Sequence, residues 1–255
     1  MDILITGASG NVGSEVLSAL SGLGHRLFRG GRKLQRVNGD DSTTPIVVDF
    51  MTGDWPDRSF GAVFLMRPPQ IGDPAPFRAF LATLAPTTRV VFLSVQGAER
   101  MSFLPHAKIE AVITELGLPH VFVRPSYFME NLTSTLADEL RRNQRIYLPA
   151  GDLTLDWVSV ADVAAMCAAA LLGDVSENAI TASSGRGVGF REAVEVINRE
   201  AGTSFEYVPA SLLGFVRDAR AQRKEWSFIG VMLLLHFLPR FNRQPIDAGD
   251  VEATL

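Results

Sequence analysis

The chain is short of residues that do covalent or redox chemistry unaided. It has a single cysteine, Cys167, which excludes an intrachain disulfide framework and suits a reducing compartment, so a cytoplasmic location is expected. Cys167 lies in the alanine-rich run 164–170 and reads as buried helix filler. Groups of His, Cys, Asp and Glu at metal-ligand spacing are lacking, and no metal is expected. A G-x-S-x-G nucleophile motif is also lacking. The most apolar stretch, Phe228 to Leu238, is about half the length of a membrane span, so no membrane association is expected. The net charge of −4 supplies no basic field to attract nucleic acid. Asp2, followed at once by a strand, does not read as a secretory signal. What remains is the bulk composition of a globular enzyme with a sizeable core, 47% hydrophobic and 20% charged.

Against these absences stands the start of the chain, M-D-I-L-I-T-G-A-S-G-N-V-G. Ile3, Leu4 and Ile5 read as a short buried strand, and an amphipathic helix begins beyond the glycines Gly7, Gly10 and Gly13. A strand that turns through glycines into a helix aims backbone N–H groups at the helix N-terminus, which makes a site for a pyrophosphate. Glycine suits that turn because a Cβ would obstruct the phosphates or the helix–strand contact. Thr6, Gly7, Ser9, Gly10, Asn11, Val12 and Gly13 are the candidate residues of this loop. The spacing G-x-x-G-x-x-G is one residue longer than the usual dinucleotide pattern. The competing reading is a plain tight turn, which rarely needs three glycines.

Strand-like and helix-like segments then alternate. A helix is expected from Asn11 to Leu23, closed by Gly24. Strands are expected at Arg26–Arg29, Ile46–Asp49, Ala62–Met66, Val90–Ser94 and Val121–Arg124, with helices at Phe77–Leu84 and His106–Leu116. The strands are mostly continuous apolar runs, as for strands covered on both faces. The fold class is therefore α/β, a Rossmann-type doubly wound parallel sheet with a smaller C-terminal α/β lobe. Residues 1–150 are expected to form the NAD(P)-binding core and 151–255 a substrate lobe that threads with it. In the looser region after Pro125, helices are expected at Met129–Arg142, near Asp162, at Phe190–Ala201, at Leu212–Arg223 and at Phe228–Leu238. Strands are expected at Arg145–Leu148 and Phe205–Val208.

A chain that binds NAD usually carries an acid at the end of the second strand, for the ribose 2′-hydroxyl. None occurs between Val16 and Gly39, where Arg26, Arg29, Arg32 and Lys33 stand instead. Guanidinium and ammonium groups match the 2′-phosphate of NADP(H), with Arg29 at the strand end best placed. NAD(H) binding should be possible but weaker. The other reading is a solvated basic loop. Asp49 suits an adenine amino group or, equally, a turn.

The catalytic inventory of short-chain dehydrogenases is incomplete. Ser94 occupies the place of the strand-end serine and Lys108 that of the helix lysine, but position 104 is Leu. The three tyrosines, Tyr127, Tyr147 and Tyr207, have no lysine four residues on. Without a positioned acid to protonate an alkoxide, simple ketones are poor acceptors. Hydride transfer remains open to acceptors that delocalise charge. Lys108 then is the catalytic candidate, positioning the nicotinamide ribose or helping a carbonyl oxygen, or else a solvated helix residue. His106 reads as a helix-start residue, and His25, His120 and His236 as isolated structural ones.

The runs I-T-G-A-S-G-N-V-G, F-R-G-G-R-K, V-V-F-L-S and H-A-K-I-E-A-V-I-T-E-L-G-L-P-H-V-F-V-R-P-S-Y-F-M-E-N-L resemble the NmrA-like group of atypical short-chain dehydrogenases. Within that group they are similar to quinone and triphenylmethane reductases and to festuclavine dehydrogenases. The resemblance extends through D-W-V-S-V-A-D-V-A and covers roughly the first 175 residues. It implies pyrophosphate on the glycine loop, the 2′-phosphate on Arg29 and Lys33, and further cofactor contacts at Met66, Arg67, Pro68, Lys108 and the strand-ending Pro125. It also implies an acceptor site at Tyr127, Phe128 and Asn131. The implied activity is NADPH-dependent reduction of a flat apolar or cationic molecule by a monomer or homodimer. The group also contains nucleotide sensors that act through a protein partner. A sugar-nucleotide epimerase is disfavoured by the missing tyrosine. The late apolar helix is expected to close an apolar pocket over the sheet's carboxyl edge or, equally, to be a core or dimer-interface helix.

Overall fold

A computed structural model describes residues 1–33, 42–241 and 250–251. The chain divides into two compact units, Met1–Ser126 with Val158–Ser183 and the chain's end, and Tyr127–Trp157 with Ser184–Ala248. Both units are built from interleaved segments of the chain. The return to the first unit is pinned by Asp250, whose carboxylate accepts from the Thr181 N–H at 2.8 Å and whose own N–H donates to the Thr181 carbonyl at 3.0 Å.

The first unit is built on β1 (Asp2–Ile5), β2 (Arg26–Gly31), β3 (Thr43–Val47), β4 (Ala62–Met66), β5 (Arg89–Leu93), β6 (His120–Pro125) and β10 (Ala179–Ala182). They form one parallel sheet in the order β10-β6-β5-β4-β1-β2-β3. Order reverses between β1 and β4, which puts a doubly wound switch point at the end of β1. Helices α2 (Ala75–Leu81) and α3 (Pro105–Glu115) cover one face, where Phe77, Phe80, Ile109 and Ile113 meet Leu4, Val63, Leu65, Val90 and Phe92. Helices α1 (Asn11–Leu20) and α5 (Val160–Leu172) pack together on the other face. The buried Ala164 and Ala168 of α5 are small enough to let helices approach closely. Ser159 caps α5 by accepting from the Asp162 N–H at 3.0 Å, and Gly173 closes it at φ +96°.

Helix α1 ends three residues before Leu23, because Gly22 already takes a left-handed φ of +77°. The sheet gains β10, whose A-I-T-A is too short and mixed to announce a strand.

The second unit holds β7 (Tyr127–Phe128), β9 (Thr154–Val158) and β11 (Gly187–Gly189) in one small sheet, and β8 (Arg145–Leu148) parallel to β12 (Glu206–Pro209) in another. Helices α4 (Ala137–Asn143), α6 (Phe190–Ala201), α7 (Leu212–Ala221) and α8 (Trp226–His236) complete it. The continuous helix expected over Met129–Arg142 is broken into a 3-10 turn at Met129–Asn131 and then α4. Ser134 and Thr133 donate their hydroxyls to the Glu130 carbonyl at 2.6 and 3.2 Å, which competes with helical bonding. Ile229 and Met232 of α8 lie in this unit's core with Trp157, Phe190 and Tyr207, so α8 has the core role considered for it.

Candidate functional site

The turn between β1 and α1 requires two of its glycines on its own account. Gly7 sits at φ +61°, and a Cβ there would collide with the Met66 methyl, while a Cβ on Gly13 would strike the Gly7 carbonyl. Gly10 donates to the Gly7 carbonyl at 2.9 Å and caps α1 through backbone alone. No side chain caps α1 and its first turn holds no acid, so its leading N–H groups point outward at the positive end of the helix dipole. Ser9 and Asn11 are exposed beside them, and Val12 is buried in the core.

A cleft of about 920 Å³ runs from this loop past the end of β2. One wall is Ser14, Ser18 and Ser21, a stripe along α1, with Ser9 at the loop. Arg29, Arg32 and Lys33 bring three cations, and Asp49 brings a carboxylate. Arg29 is the β2 residue that pairs in register with Ile5 and Pro45. The residues therefore fit a phosphorylated nucleotide: an uncapped helix end, a cationic lining and hydroxyl donors lie along one cleft. Asp49 lines the cleft within a turn, where its Oδ1 accepts from the Met51 N–H at 2.8 Å and its N–H bonds to the Asp54 carbonyl.

Thr6 is buried and serves the loop's geometry. Its hydroxyl donates to the Phe64 carbonyl at 3.0 Å and accepts from the Met66 N–H at 2.9 Å, which clamps β1 to β4. Arg67 curls back on its own loop. Its guanidinium donates to the carbonyls of Pro68, Pro69 and Ile71 at 3.1, 3.1 and 2.8 Å, and Nε–H donates to His106 Nε2 at 3.4 Å. Burial, and secondarily the Arg67 charge, push the His106 pKa down to about 4, so the ring is neutral and able to accept. His106 thus has a partner 39 residues away, which sequence separation concealed.

Ser94 and Lys108 are not brought into one constellation. Ser94 is buried, and its hydroxyl donates to Glu110 Oε1 at 2.5 Å. Arg124 grips the same carboxylate with two bonds of 3.0 and 2.7 Å, and its NH1 lies 3.4 Å from Glu99. Bonding to Glu110 raises the Arg124 pKa despite its burial. Lys108 is exposed, about 200° round α3 from Glu110, and its ammonium has no partner among the described residues. Ser94, in the place of the strand-end serine, is thus tied into a Ser–Glu–Arg cluster. Pro125 is buried at the end of β6, its carbonyl accepting from the Gln96 N–H at 3.1 Å.

In the second unit the Tyr127 hydroxyl meets His236 Nε2 at 3.0 Å, and His236 Nδ1 lies 2.8 Å from the Met232 carbonyl. A carbonyl only accepts, so Nδ1 carries the proton and Tyr127 donates to Nε2. Asn131 also bonds to Tyr127. Trp157 meets the Tyr127 ring edge-on at 4.8 Å, and Phe190 lies 5.6 Å from His236. Burial pushes the His236 pKa down to about 4 and the Tyr127 phenol up. Phe128 and Asn131 are half-buried. His236 had read as isolated, and its pairing with Tyr127 spans 109 positions.

The NmrA-like family matches residues 96–218. A (4-alkanoyl-5-oxo-2,5-dihydrofuran-3-yl)methyl phosphate reductase of Streptomyces griseus is 30% identical over 214 residues, covering 80% of this chain and 76% of that protein. Prestalk A differentiation protein A of Dictyostelium discoideum is 29% identical over 225 residues, 81% of this chain and 72% of that protein. The Citrobacter sp. triphenylmethane reductase, solved in complex with NADP(H), shares the fold with a TM-score of 0.82 at 14% identity, over 100% of this chain and 95% of that one.

Proposed function

Because the chain belongs to the NmrA-like family, we propose that it is an NADPH-dependent reductase that passes hydride to a flat apolar or cationic small molecule of quinone, azo or triarylmethane dye, or iminium type. The observation that carries this reading is the cleft at the end of β2, where Arg29, Arg32 and Lys33 stand in place of an acid beside the uncapped start of α1. The named reductases among its relatives and fold neighbours support it. The reduced nicotinamide, when bound, supplies the hydride. The N–H groups at Asn11, Val12 and Gly13 take the pyrophosphate, and the cations take the 2′-phosphate. Ser94, held by Glu110, sets the end of β5 rather than donating a proton. With no tyrosine–lysine relay, the acceptor must itself delocalise the charge that hydride brings. Lys108 is proposed for the nicotinamide ribose; Tyr127, Phe128 and Asn131 are the acceptor residues that the family resemblance implies.

The test is steady NADPH oxidation by the purified chain with quinone, dye and iminium acceptors and with simple ketones. Turnover confined to the charge-delocalising acceptors is expected. Equal turnover of ketones would overturn the chemistry. Tight NADPH binding with no turnover of any acceptor would favour a second reading, a nucleotide sensor acting through a protein partner. The relative named as a differentiation protein is the observation on that side.

A further inference from the structure

Helix α8 carries no Asp, Glu, Lys or Arg from Trp226 to His236. One side of it, Ile229, Met232 and His236, is buried. On the opposite arc Val231, Leu234 and Leu235 stand 53%, 44% and 42% exposed, and Leu238 and Phe241 beyond them 53% and 74%. Positions 231, 234, 235 and 238 follow the i, i+3, i+4, i+7 spacing of a single helical face, so this is a continuous apolar stripe rather than scattered surface residues. At the start of α8, Trp226 is 63% exposed, with the Arg220 guanidinium 4.9 Å above its ring.

The stripe belongs to a cationic segment of an acidic chain. Residues 211–241 hold Arg217, Arg220, Arg223, Lys224 and Arg240 against Asp218 and Glu225, a net +3, within a chain of net −4. Arg217, Arg220 and Arg223 are exposed. The exposed cations lie at the start of α8, while Arg240 beyond its end is half-buried and donates to the Pro149 carbonyl at 3.2 Å. In a two-fold contact between copies the patch would meet itself, and with the two helices parallel cations would face cations.

We propose that this face of α8 docks on an anionic lipid surface. The aliphatic stripe enters the boundary between headgroups and acyl chains, the Trp226 ring lies at headgroup level, and the arginines reach lipid phosphates. The helix lies on the bilayer and does not span it; among the described residues no helix is long and apolar enough to cross. The proposal goes beyond the reductase reading and stands or falls separately from it.

Co-sedimentation of the full chain with vesicles of phosphatidylcholine and phosphatidylglycerol in equal parts, against phosphatidylcholine alone, tests it. Binding to the mixed vesicles is expected, with a blue shift of Trp226 fluorescence and weakening by salt. Leu234→Glu with Leu235→Glu should abolish binding and leave NADPH affinity unchanged. Arg217→Gln with Arg223→Gln, at exposed side chains, should weaken binding about thirtyfold without touching the helix. Failure to sediment with the mixed vesicles, equal binding to the neutral ones, or undiminished binding by the glutamate variant would each overturn the proposal. So would a dimeric wild type that the glutamate substitutions render monomeric without any vesicle binding, which would make a second copy the occupant.

Discussion

In the first unit a buried polar cluster is ionic, with Glu110 held by Arg124 and Ser94. In the second it is neutral, with Tyr127 on His236 among Trp157 and Phe190. Both clusters join segments distant in sequence, and the difference lies in what each burial demands. The ionic one balances its charge locally and ties β5, α3 and β6 together at the sheet's carboxyl edge. The neutral one stays neutral only because burial suppresses the charged form of the imidazole. Removal of a charge should therefore damage the ionic cluster most, and acid should damage the neutral one.

The largest effect expected follows from Glu110→Ala. It leaves Arg124, whose side chain is 16% exposed, with only the longer contact to Glu99. A loss of about 3 kcal/mol is expected, read as a fall in urea midpoint. Glu110→Gln, which keeps part of the bonding, should lose less. Equal tolerance of both would show that the cluster is dispensable.

Acid should act next most strongly. The His236 pKa in the folded chain, about 4, lies below its ordinary value of 6.5. As pH falls through this interval the unfolded chain takes up the proton first, so stability is complete above 6.5 and is lost toward 4. The loss is up to about 3 kcal/mol. His106, also near 4, adds to it from the first unit. His236→Phe should remove the second unit's share of the slope, and urea unfolding at successive pH values would reveal an unchanged slope if the dyad did not matter.

Cofactor choice sharpens the comparison within the first unit. Arg29→Ala should weaken NADPH binding by about ten- to a hundredfold, the loss of one charge-assisted contact, and leave NADH binding nearly unchanged. Equal losses for the two nucleotides would remove the 2′-phosphate assignment. The smallest effect on stability is expected at Lys108. Lys108→Ala alters an exposed side chain and should move stability by less than about 0.5 kcal/mol, while turnover falls. Unchanged kinetics would return Lys108 to the solvated surface.

The regular part of the chain was legible because its signals are local. The glycines after Ile5, the apolar runs at Ala62–Met66 and Val121–Arg124, and the basic residues after β2 each announce themselves within a few positions. The broken helix after Met129 was less so, since Thr133 and Ser134 bond back to Glu130 by geometry that periodicity does not register. Arg67 illustrates the same limit at the candidate site. The family resemblance implies a cofactor contact for it, and tertiary structure adds bonds from its guanidinium to the carbonyls of its own loop and to His106.

The amino-acid sequence by itself determined the doubly wound sheet, the glycine turn after β1 and the cationic residues at the end of β2. Hydrophobic period, glycine placement and charge type act over one strand or one turn. Tertiary structure alone decided the partners of Ser94, His106, Tyr127 and His236 and which face of α8 stays exposed. Those outcomes depend on which distant groups exclude water from one another, and desolvation is a property of packed neighbours rather than of chain order.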